Sequence, residues 1–191
     1  MSSDCPLYTY NIGAGRTPLH PDFVIPGSTE YRIDCDPDME PDYVADIRDL
    51  TALPAGQGLG VHLSHILEHV RLDEAVPVLI GCHRLLAPEG VLYVQVPNGT
   101  AAARMILEDG TPMKVAFVAA AGPITALDMI YGQQEMVRRL PAMAHQCLYT
   151  ERLLRDVLLA AGFVDIETHI GEEDGYNLTA IAYPVHQPAV P

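Results

Sequence analysis

The sequence is poor in basic residues: 11 lysines and arginines stand against 25 aspartates and glutamates among 191 residues, and the formal net charge is −14. A negative field of this size repels phosphate backbones and anionic surfaces, which argues against nucleic acid and membranes as partners. The four cysteines include no C-x-x-C pair. Scattered cysteines favour reduced thiols in a cytoplasmic protein over a disulfide framework.

Long apolar runs are also missing. The N-terminus has neither the basic region nor the apolar run of a signal peptide. The most apolar stretch, residues 114–132, is interrupted by Gly122-Pro123 and by Asp128, so it is too broken to span a bilayer comfortably. The length fits one domain covering residues 1–191, with an ordinary globular composition of 49% hydrophobic and 19% charged residues.

Strand patterns alternate with helical patterns along the chain. Strands are predicted over residues 7–13, 30–34, 43–47, 59–64, 91–97, 163–170 and 177–184, and helices over 73–86, with Asp73 as N-cap, and 150–162. This order predicts a Rossmann-like, doubly wound, mostly parallel α/β sheet that ends in an antiparallel hairpin. The segment 98–149 shows no obvious strand, and its length predicts a substrate lid inserted into the domain.

Ligands of parallel sheets bind at the carboxyl ends of the strands. After the first strand, Gly13 and Gly15 would let the backbone approach a ligand closely. Asp34, or as a second choice Asp36, follows the next strand and is suited to ribose hydroxyls, because an ionised carboxylate only accepts hydrogen bonds. The nicotinamide-cofactor motif needs a third glycine and a following helix, and the sequence shows neither.

Five motifs occur in a familiar order: "YNIGAG", "IDCDP", "YVADIRDL", "SHILEHV" and "CHRLLAPEGVLYVQVPN". In this order and spacing the chain resembles the class I S-adenosylmethionine-dependent methyltransferases, in the compact branch that starts at the glycine motif. The resemblance is good over residues 7–98 and looser over 145–184. It departs from the family where a proline-rich segment follows the glycine turn in place of a helix, and where "PEG" replaces "PGG".

The resemblance implies S-adenosylmethionine as cofactor and a role for each matched position. The glycine turn would hold the methionine part, Asp34 the ribose, and two residues after the third strand the adenine. Two residues after the fourth strand would lie beside the methionine. The implied cofactor-binding residues are Asn11, Gly13, Ala14, Gly15, Asp34, Asp36, Asp46, Ile47, Ser64 and His65.

Methyl transfer asks little of side chains, because much of the rate comes from aligning a nucleophile with the methyl group. A hydroxyl or amine acceptor can also need a base, and histidine is the usual one near neutral pH. His65 and His145 are the candidate catalytic residues. The expected reaction is O- or N-methylation of a small-molecule acceptor held under residues 98–149, and a homodimer is left open.

Residues 65–69 read H-x-x-E-H, which is also a zinc peptidase signature. That motif binds metal from the middle of a helix, where residues four apart share a face. Here the motif follows a strand pattern, so a zinc peptidase is disfavoured and no metal site is predicted. Glu68 and His69 are instead expected to secure the turn after the strand by hydrogen bonds, because buried carboxylates and imidazoles must be paired.

Two other functions are compatible with the same motifs. One is an enzyme that cleaves or cyclises S-adenosylmethionine without a methyl acceptor, which would release methylthioadenosine. The other is a non-catalytic binding subunit that depends on a partner, which the shortened region after the glycine turn favours.

Overall fold

A computed structural model of the chain describes residues 7–16, 19, 23–119, 122–171 and 175–185. The strands are β1 (Tyr8–Ile12), β2 (Thr29–Asp34), β3 (Tyr43–Val44), β4 (Gly58–Ser64), β5 (Leu86–Pro97), β6 (Val115–Ala119), β7 (Gly122–Thr125), β8 (Val164–Ile170) and β9 (Asn177–Tyr183). The α-helices are α1 (Leu72–Leu85), α2 (Gly99–Asp109), α3 (Ala126–Tyr131), α4 (Gln134–Arg139) and α5 (Glu151–Ala160).

Seven strands form one sheet in the order β3-β2-β1-β4-β5-β9-β8. The five strands β1 to β5 are parallel, whereas β9 runs antiparallel to both β5 and β8. The order reverses direction between β1 and β4, which is the switch point where parallel sheets bind ligands. The predicted fold class, a mostly parallel Rossmann-like sheet ending in an antiparallel hairpin, is therefore confirmed.

The main core lies between the sheet and two helices, α1 and α5. Alternate residues of the central strands point into it, among them the fully buried Leu63 and Leu92. Helix α5 begins at the N-cap Thr150, whose hydroxyl accepts a hydrogen bond from the Leu153 amide, and buries its apolar side against the same core. The packing of these elements fixes the positions of the carboxyl ends of the strands.

The N-terminus of α1 differs from its prediction. The helix starts at Leu72, and its N-cap is Arg71, which makes no side-chain cap. Asp73 was expected to be the cap, but its carboxylate pairs with the Arg71 guanidinium at 2.9 Å. Because the helix already begins at Leu72, Asp73 lies inside its first turn and cannot be the N-cap.

The second face of the sheet, opposite α1 and α5, carries little helix in the described residues. The β2–β3 connection contains only a 3-10 turn, Pro37–Met39, and the β3–β4 connection contains only turns. Phe23 and Ile25 of the β1–β2 connection lie against this face. They border a cavity of about 220 Å³, whose other lining residues include Thr9, Gly60, His62, Tyr93 and Ile181.

Residues 98–149, called the insert below, hold α2, α3, α4 and a two-stranded sheet of β6 and β7. The expectation that this segment has no strand is wrong. Its strands are short and rich in small residues, and their half-exposed pattern lacks the alternation by which strands are recognised. The insert has a small core of its own around Ala102, Met105, Ala126 and Met129.

None of the helices in the described ranges is both long and apolar enough to cross a membrane.

Candidate cofactor and transfer site

The predicted site residues follow three neighbouring strands. The glycine turn comes after β1, Asp34 ends β2, and Ser64 ends β4, and β1 lies between the other two. Because neighbouring strands are about 4.8 Å apart, the ends of β2 and β4 are separated by roughly 10 Å. One extended ligand lying across the glycine turn can reach both ends.

The two glycines of the turn serve different purposes. Both have positive φ, +70° at Gly13 and +51° at Gly15, which glycine adopts without strain. A Cβ on Gly13 would lie 2.1 Å from Cδ1 of Ile66, so the space over this glycine is filled by protein. A Cβ on Gly15 would meet nothing within 4 Å. Gly15 is therefore the part of the turn that a ligand can approach.

Asp34 ties the glycine turn to the end of β2. Its Oδ2 accepts a hydrogen bond from the Gly15 amide at 2.8 Å, and its Oδ1 accepts one from the Asp36 amide at 2.9 Å. Each carboxylate oxygen keeps a further lone pair, so this half-buried group fits the two vicinal hydroxyls of a ribose. Asp36 instead caps the next turn, where its Oδ1 accepts the Asp38 amide at 2.9 Å.

Arg32 is a residue that sequence reasoning missed. Its guanidinium donates to the backbone carbonyls of Gly15, Met39 and Glu40, and so clamps the glycine turn to the loop after β2. Arg32 lies two residues before Asp34, on the same face of the strand. That spacing was the available signal, because a cation beside the acidic strand end needs partners of its own.

Three other predicted residues have distinct surroundings. Asn11 lies within β1, is buried, and donates to the Glu30 carboxylate at 2.8 Å. Asp46 is exposed after β3 and forms an ion pair with Arg48 at 3.2 Å. Ile47 is half-buried against the main core. Asp46 and Ile47 follow β3, next to β2 in the sheet, whereas the Asn11 side chain holds β1 to β2.

His65 directly follows β4 in a left-handed conformation, with φ of 54°. This backbone region costs a non-glycine residue roughly 1 to 2 kcal/mol. The His65 amide donates to the Gln95 carbonyl at 2.9 Å, and the Ser64 hydroxyl donates to the Gln95 side chain at 3.4 Å. The strained turn directs the chain sharply out of the sheet at the point where the transfer site is predicted.

A buried carboxylate supports this imidazole. The Nδ1 atom of His65 lies 3.2 Å from Oε1 of Glu68, whose side chain is only 1% exposed, whereas the His65 side chain is 45% exposed. Desolvation disfavours the charged ring. The hydrogen bond and charge of Glu68, with a hydrogen bond to Gln95, outweigh it and raise the pKa of His65 above its usual value. His65 is thus a solvent-accessible imidazole whose protonated form is favoured by the Glu68 carboxylate.

The insert delivers His145 to the same place. The Gln146 and Cys147 amides both donate to the Glu68 carbonyl, at 2.7 and 3.1 Å. The His145 and His69 rings meet edge to face, with centroids 4.9 Å apart. Desolvation lowers the pKa of His145 and outweighs the Glu68 charge and the hydrogen bond to Met129, which raise it. No local sequence pattern could have shown that His145 contacts the H-x-x-E-H motif.

The H-x-x-E-H motif does not lie within an α-helix. Its last three residues, Leu67–His69, form a 3-10 turn after β4, and α1 begins only at Leu72. The two histidines therefore lack the shared helical face of the zinc peptidase motif. The expected strand context of the motif is confirmed.

Several solved structures with this architecture are methyltransferases. A SAM-dependent methyltransferase from Archaeoglobus fulgidus has a TM-score of 0.59 at 15% identity, over 93% of this chain and 86% of that one. The fold is that of a class I methyltransferase. The CMeT domain of citrinin polyketide synthase matches with a TM-score of 0.62 at 15% identity, over 95% of this chain and 47% of that one.

A third methyltransferase neighbour was solved with its ligands. The 1,6-didemethyltoxoflavin-N1-methyltransferase from Burkholderia thailandensis, with bound 1,6-didemethyltoxoflavin and S-adenosylhomocysteine, has a TM-score of 0.56 at 19% identity. The match covers 93% of this chain and 71% of that one. No protein-family model and no curated protein sequence matches the chain.

Proposed function

We propose that the chain is an S-adenosylmethionine-dependent methyltransferase that acts on a small-molecule acceptor. The observation that carries this proposal is the alignment of Asp34, Gly15 and His65 at the ends of three adjacent strands of a methyltransferase fold. The methyltransferase neighbour solved with bound 1,6-didemethyltoxoflavin and S-adenosylhomocysteine supports the same assignment.

The cofactor would lie across the glycine turn. Asp34 would accept hydrogen bonds from its ribose, and the exposed Asp46 with Ile47 would contact its adenine. The open backbone of Gly15 and the end of β4 at Ser64 would border its methionine part. When bound, the cofactor supplies a methyl group already activated on a sulfonium, so the protein mainly has to align the acceptor.

His65 is the proposed base for a hydroxyl acceptor. Because a carboxylate only accepts hydrogen bonds, the Nδ1 atom that faces Glu68 carries a proton and Nε2 keeps its lone pair. The acceptor proton would move to Nε2, and the charge of Glu68 would stabilise the resulting imidazolium. His145 was the second candidate base. Its Nδ1 faces the Met129 carbonyl at 2.9 Å, which also leaves a lone pair on Nε2. A neutral carbonyl stabilises an imidazolium less than the Glu68 carboxylate does, so His65 is preferred.

The insert is the proposed cover of the acceptor pocket. It is anchored to the site by the Gln146 and Cys147 amides, which donate to the Glu68 carbonyl, and it carries exposed apolar side chains, including Met136 and Leu140. A small acceptor enclosed there would be shielded from water during transfer.

Calorimetric titration with S-adenosylhomocysteine tests the cofactor assignment. Asp34→Asn should weaken binding at least about tenfold, because the amide replaces one of two acceptor oxygens with a donor and removes a charge-assisted hydrogen bond. The matched control is Asp38→Asn, which alters an exposed carboxylate in the same loop and should leave affinity unchanged.

Failure of the folded wild-type chain to bind either S-adenosylhomocysteine or S-adenosylmethionine would contradict the proposal. Product analysis then separates the reactions: S-adenosylhomocysteine indicates methyl transfer, whereas methylthioadenosine formed without an acceptor indicates cleavage of the cofactor.

A further inference from the structure

One oxygen of a deeply buried carboxylate has no hydrogen-bond donor among the described residues. Oε1 of Glu68 faces His65, but Oε2 accepts no hydrogen bond from the part of the chain that the structure describes, although the side chain is only 1% exposed. Leaving a buried carboxylate oxygen without a partner is costly, and such groups are usually paired or bound to a cation.

Two imidazoles beside Glu68 are held in the same tautomer. Nδ1 of His69 lies 3.3 Å from the Ala144 carbonyl, and Nδ1 of His145 lies 2.9 Å from the Met129 carbonyl. A carbonyl only accepts, so each Nδ1 carries the proton and each Nε2 keeps its lone pair. Metal-binding histidines are oriented in this way, by donating their other ring nitrogen to a carbonyl or carboxylate.

The three side chains converge. One ligand atom from each of Glu68, His69 and His145 lies within 4.8 Å of the others. Around a tetrahedral ion with bonds of about 2.1 Å, ligand atoms are roughly 3.4 Å apart. A contraction on the order of 1 Å would therefore close the set around an ion.

We propose that Glu68, His69 and His145 form a binding site for a divalent first-row metal ion. Two neutral imidazoles and one carboxylate are a donor set that suits Zn²⁺, Fe²⁺ and Mn²⁺, and a set of three leaves at least one coordination position open. The site differs from the helical zinc peptidase motif, because His69 and Glu68 come from a 3-10 turn and His145 comes from the insert.

A metal at this position has a consequence that rests on the proposed methyltransferase function. Glu68 would bridge the ion through Oε2 and His65 through Oε1. The open coordination position would then bind an acceptor oxygen and lower its pKa. This chemistry favours acceptors with a hydroxyl or enol over neutral amines.

The test measures metal binding in the absence of cofactor. The full chain, stripped of metal with a chelator, is titrated calorimetrically with Zn²⁺ and with Mn²⁺. We expect one ion per chain with micromolar or tighter affinity for Zn²⁺. Glu68→Gln, His69→Gln and His145→Gln should each weaken it at least about tenfold, since even indirect partners of metal ligands change affinity by this much.

The matched control is His169→Gln. This histidine is exposed on β8, lies 3.8 Å from the Glu167 carboxylate, and should leave the affinity unchanged when it is replaced. Thermal unfolding without metal shows that each variant is folded, and the Co²⁺ absorption spectrum of the wild-type chain gives a second measure that needs no variant.

Absence of stoichiometric binding and of a cobalt spectrum in the folded wild-type chain would overturn the proposal. Equal affinity in wild type and all three site variants would overturn it too. Because no cofactor is present, these results do not depend on whether the chain binds S-adenosylhomocysteine.

Discussion

His62 is a buried imidazole in β4, on the face of the sheet opposite α1 and α5. Its ring stacks on Tyr93 at 4.7 Å with nearly parallel planes, and Phe23 packs against both rings. Its Nδ1 atom has no hydrogen-bond partner among the described residues. Desolvation lowers the pKa of His62 to about 4, so the ring is neutral in the folded protein at neutral pH.

This lowered pKa predicts a loss of stability in acid. In the unfolded chain the ring takes up a proton below about pH 6.5, whereas the folded chain takes it up only near pH 4. The contribution of His62 to stability is therefore complete above about pH 6.5. It is lost as pH falls toward about 4, by up to about 3 kcal/mol.

His62→Phe keeps the aromatic stack and removes the titration. The variant should be similar to the wild type near pH 8 and more stable than it near pH 4.5. Urea unfolding followed across this range checks the difference between the two chains, since other acid-sensitive groups are common to both. If the free energies of unfolding of the two chains changed equally with pH, His62 would not take up a proton on unfolding.

Two glycines in the insert, Gly110 and Gly132, both have positive φ but differ in the space around them. Gly110 ends α2 with φ of 67°, and a Cβ there would meet nothing within 4 Å. Gly132 ends α3 with φ of 88°, and a Cβ there would lie 2.4 Å from the Met143 carbonyl oxygen. The second glycine thus permits the α3 end to pack directly on the segment that carries His145.

Alanine at these positions should have unequal effects. Gly110→Ala should lower the free energy of unfolding by about 1 kcal/mol, because alanine is strained in the left-handed conformation. Gly132→Ala adds a collision with backbone and should cost about 3 kcal/mol or more. Urea unfolding measures both. Equal losses would mean that the Met143 backbone moves aside freely.

Local patterns predicted the elements that face the main core. Strands β1, β2, β4, β5, β8 and β9 and helices α1 and α5 were predicted because their apolar residues recur with the period of a strand or a helix. Strands β6 and β7 bury little on either face, so they carry no such period. Strand ends likewise predicted the places of Asp34 and His65.

The contact between His145 and Glu68 was not predictable in this way. It depends on how the insert folds back over β4, through backbone hydrogen bonds to the Glu68 carbonyl that any residue could make. Backbone pairing between distant segments leaves no mark on residue type. The tertiary fold was needed to show it.

At the scale of the whole molecule, the formal charge of −14 acts on every element. Surface ion pairs such as Arg71–Asp73 are solvent-exposed and contribute little each. Repulsion among the excess carboxylates destabilises the compact state, and it is screened as the Debye length falls with added salt.

Raising the KCl concentration from about 0.01 M to about 0.15 M should therefore stabilise the fold, since the Debye length shortens from about 30 Å to about 8 Å. Urea midpoints at the two salt concentrations check this. Glu89→Lys changes an exposed residue at the start of β5 and the formal charge from −14 to −12, so its response should be smaller. A midpoint that falls with salt would show that ion pairs outweigh the repulsion.

Hydrogen exchange at the two amides that share the Glu68 carbonyl measures motion at the site. Gln146 and Cys147 can exchange their amide hydrogens with solvent only when the insert separates from the turn after β4. Their exchange rates therefore report the opening of the insert at two adjacent positions in the chain. A ligand of any chemistry that binds only when the insert is closed must slow the exchange of both amides together.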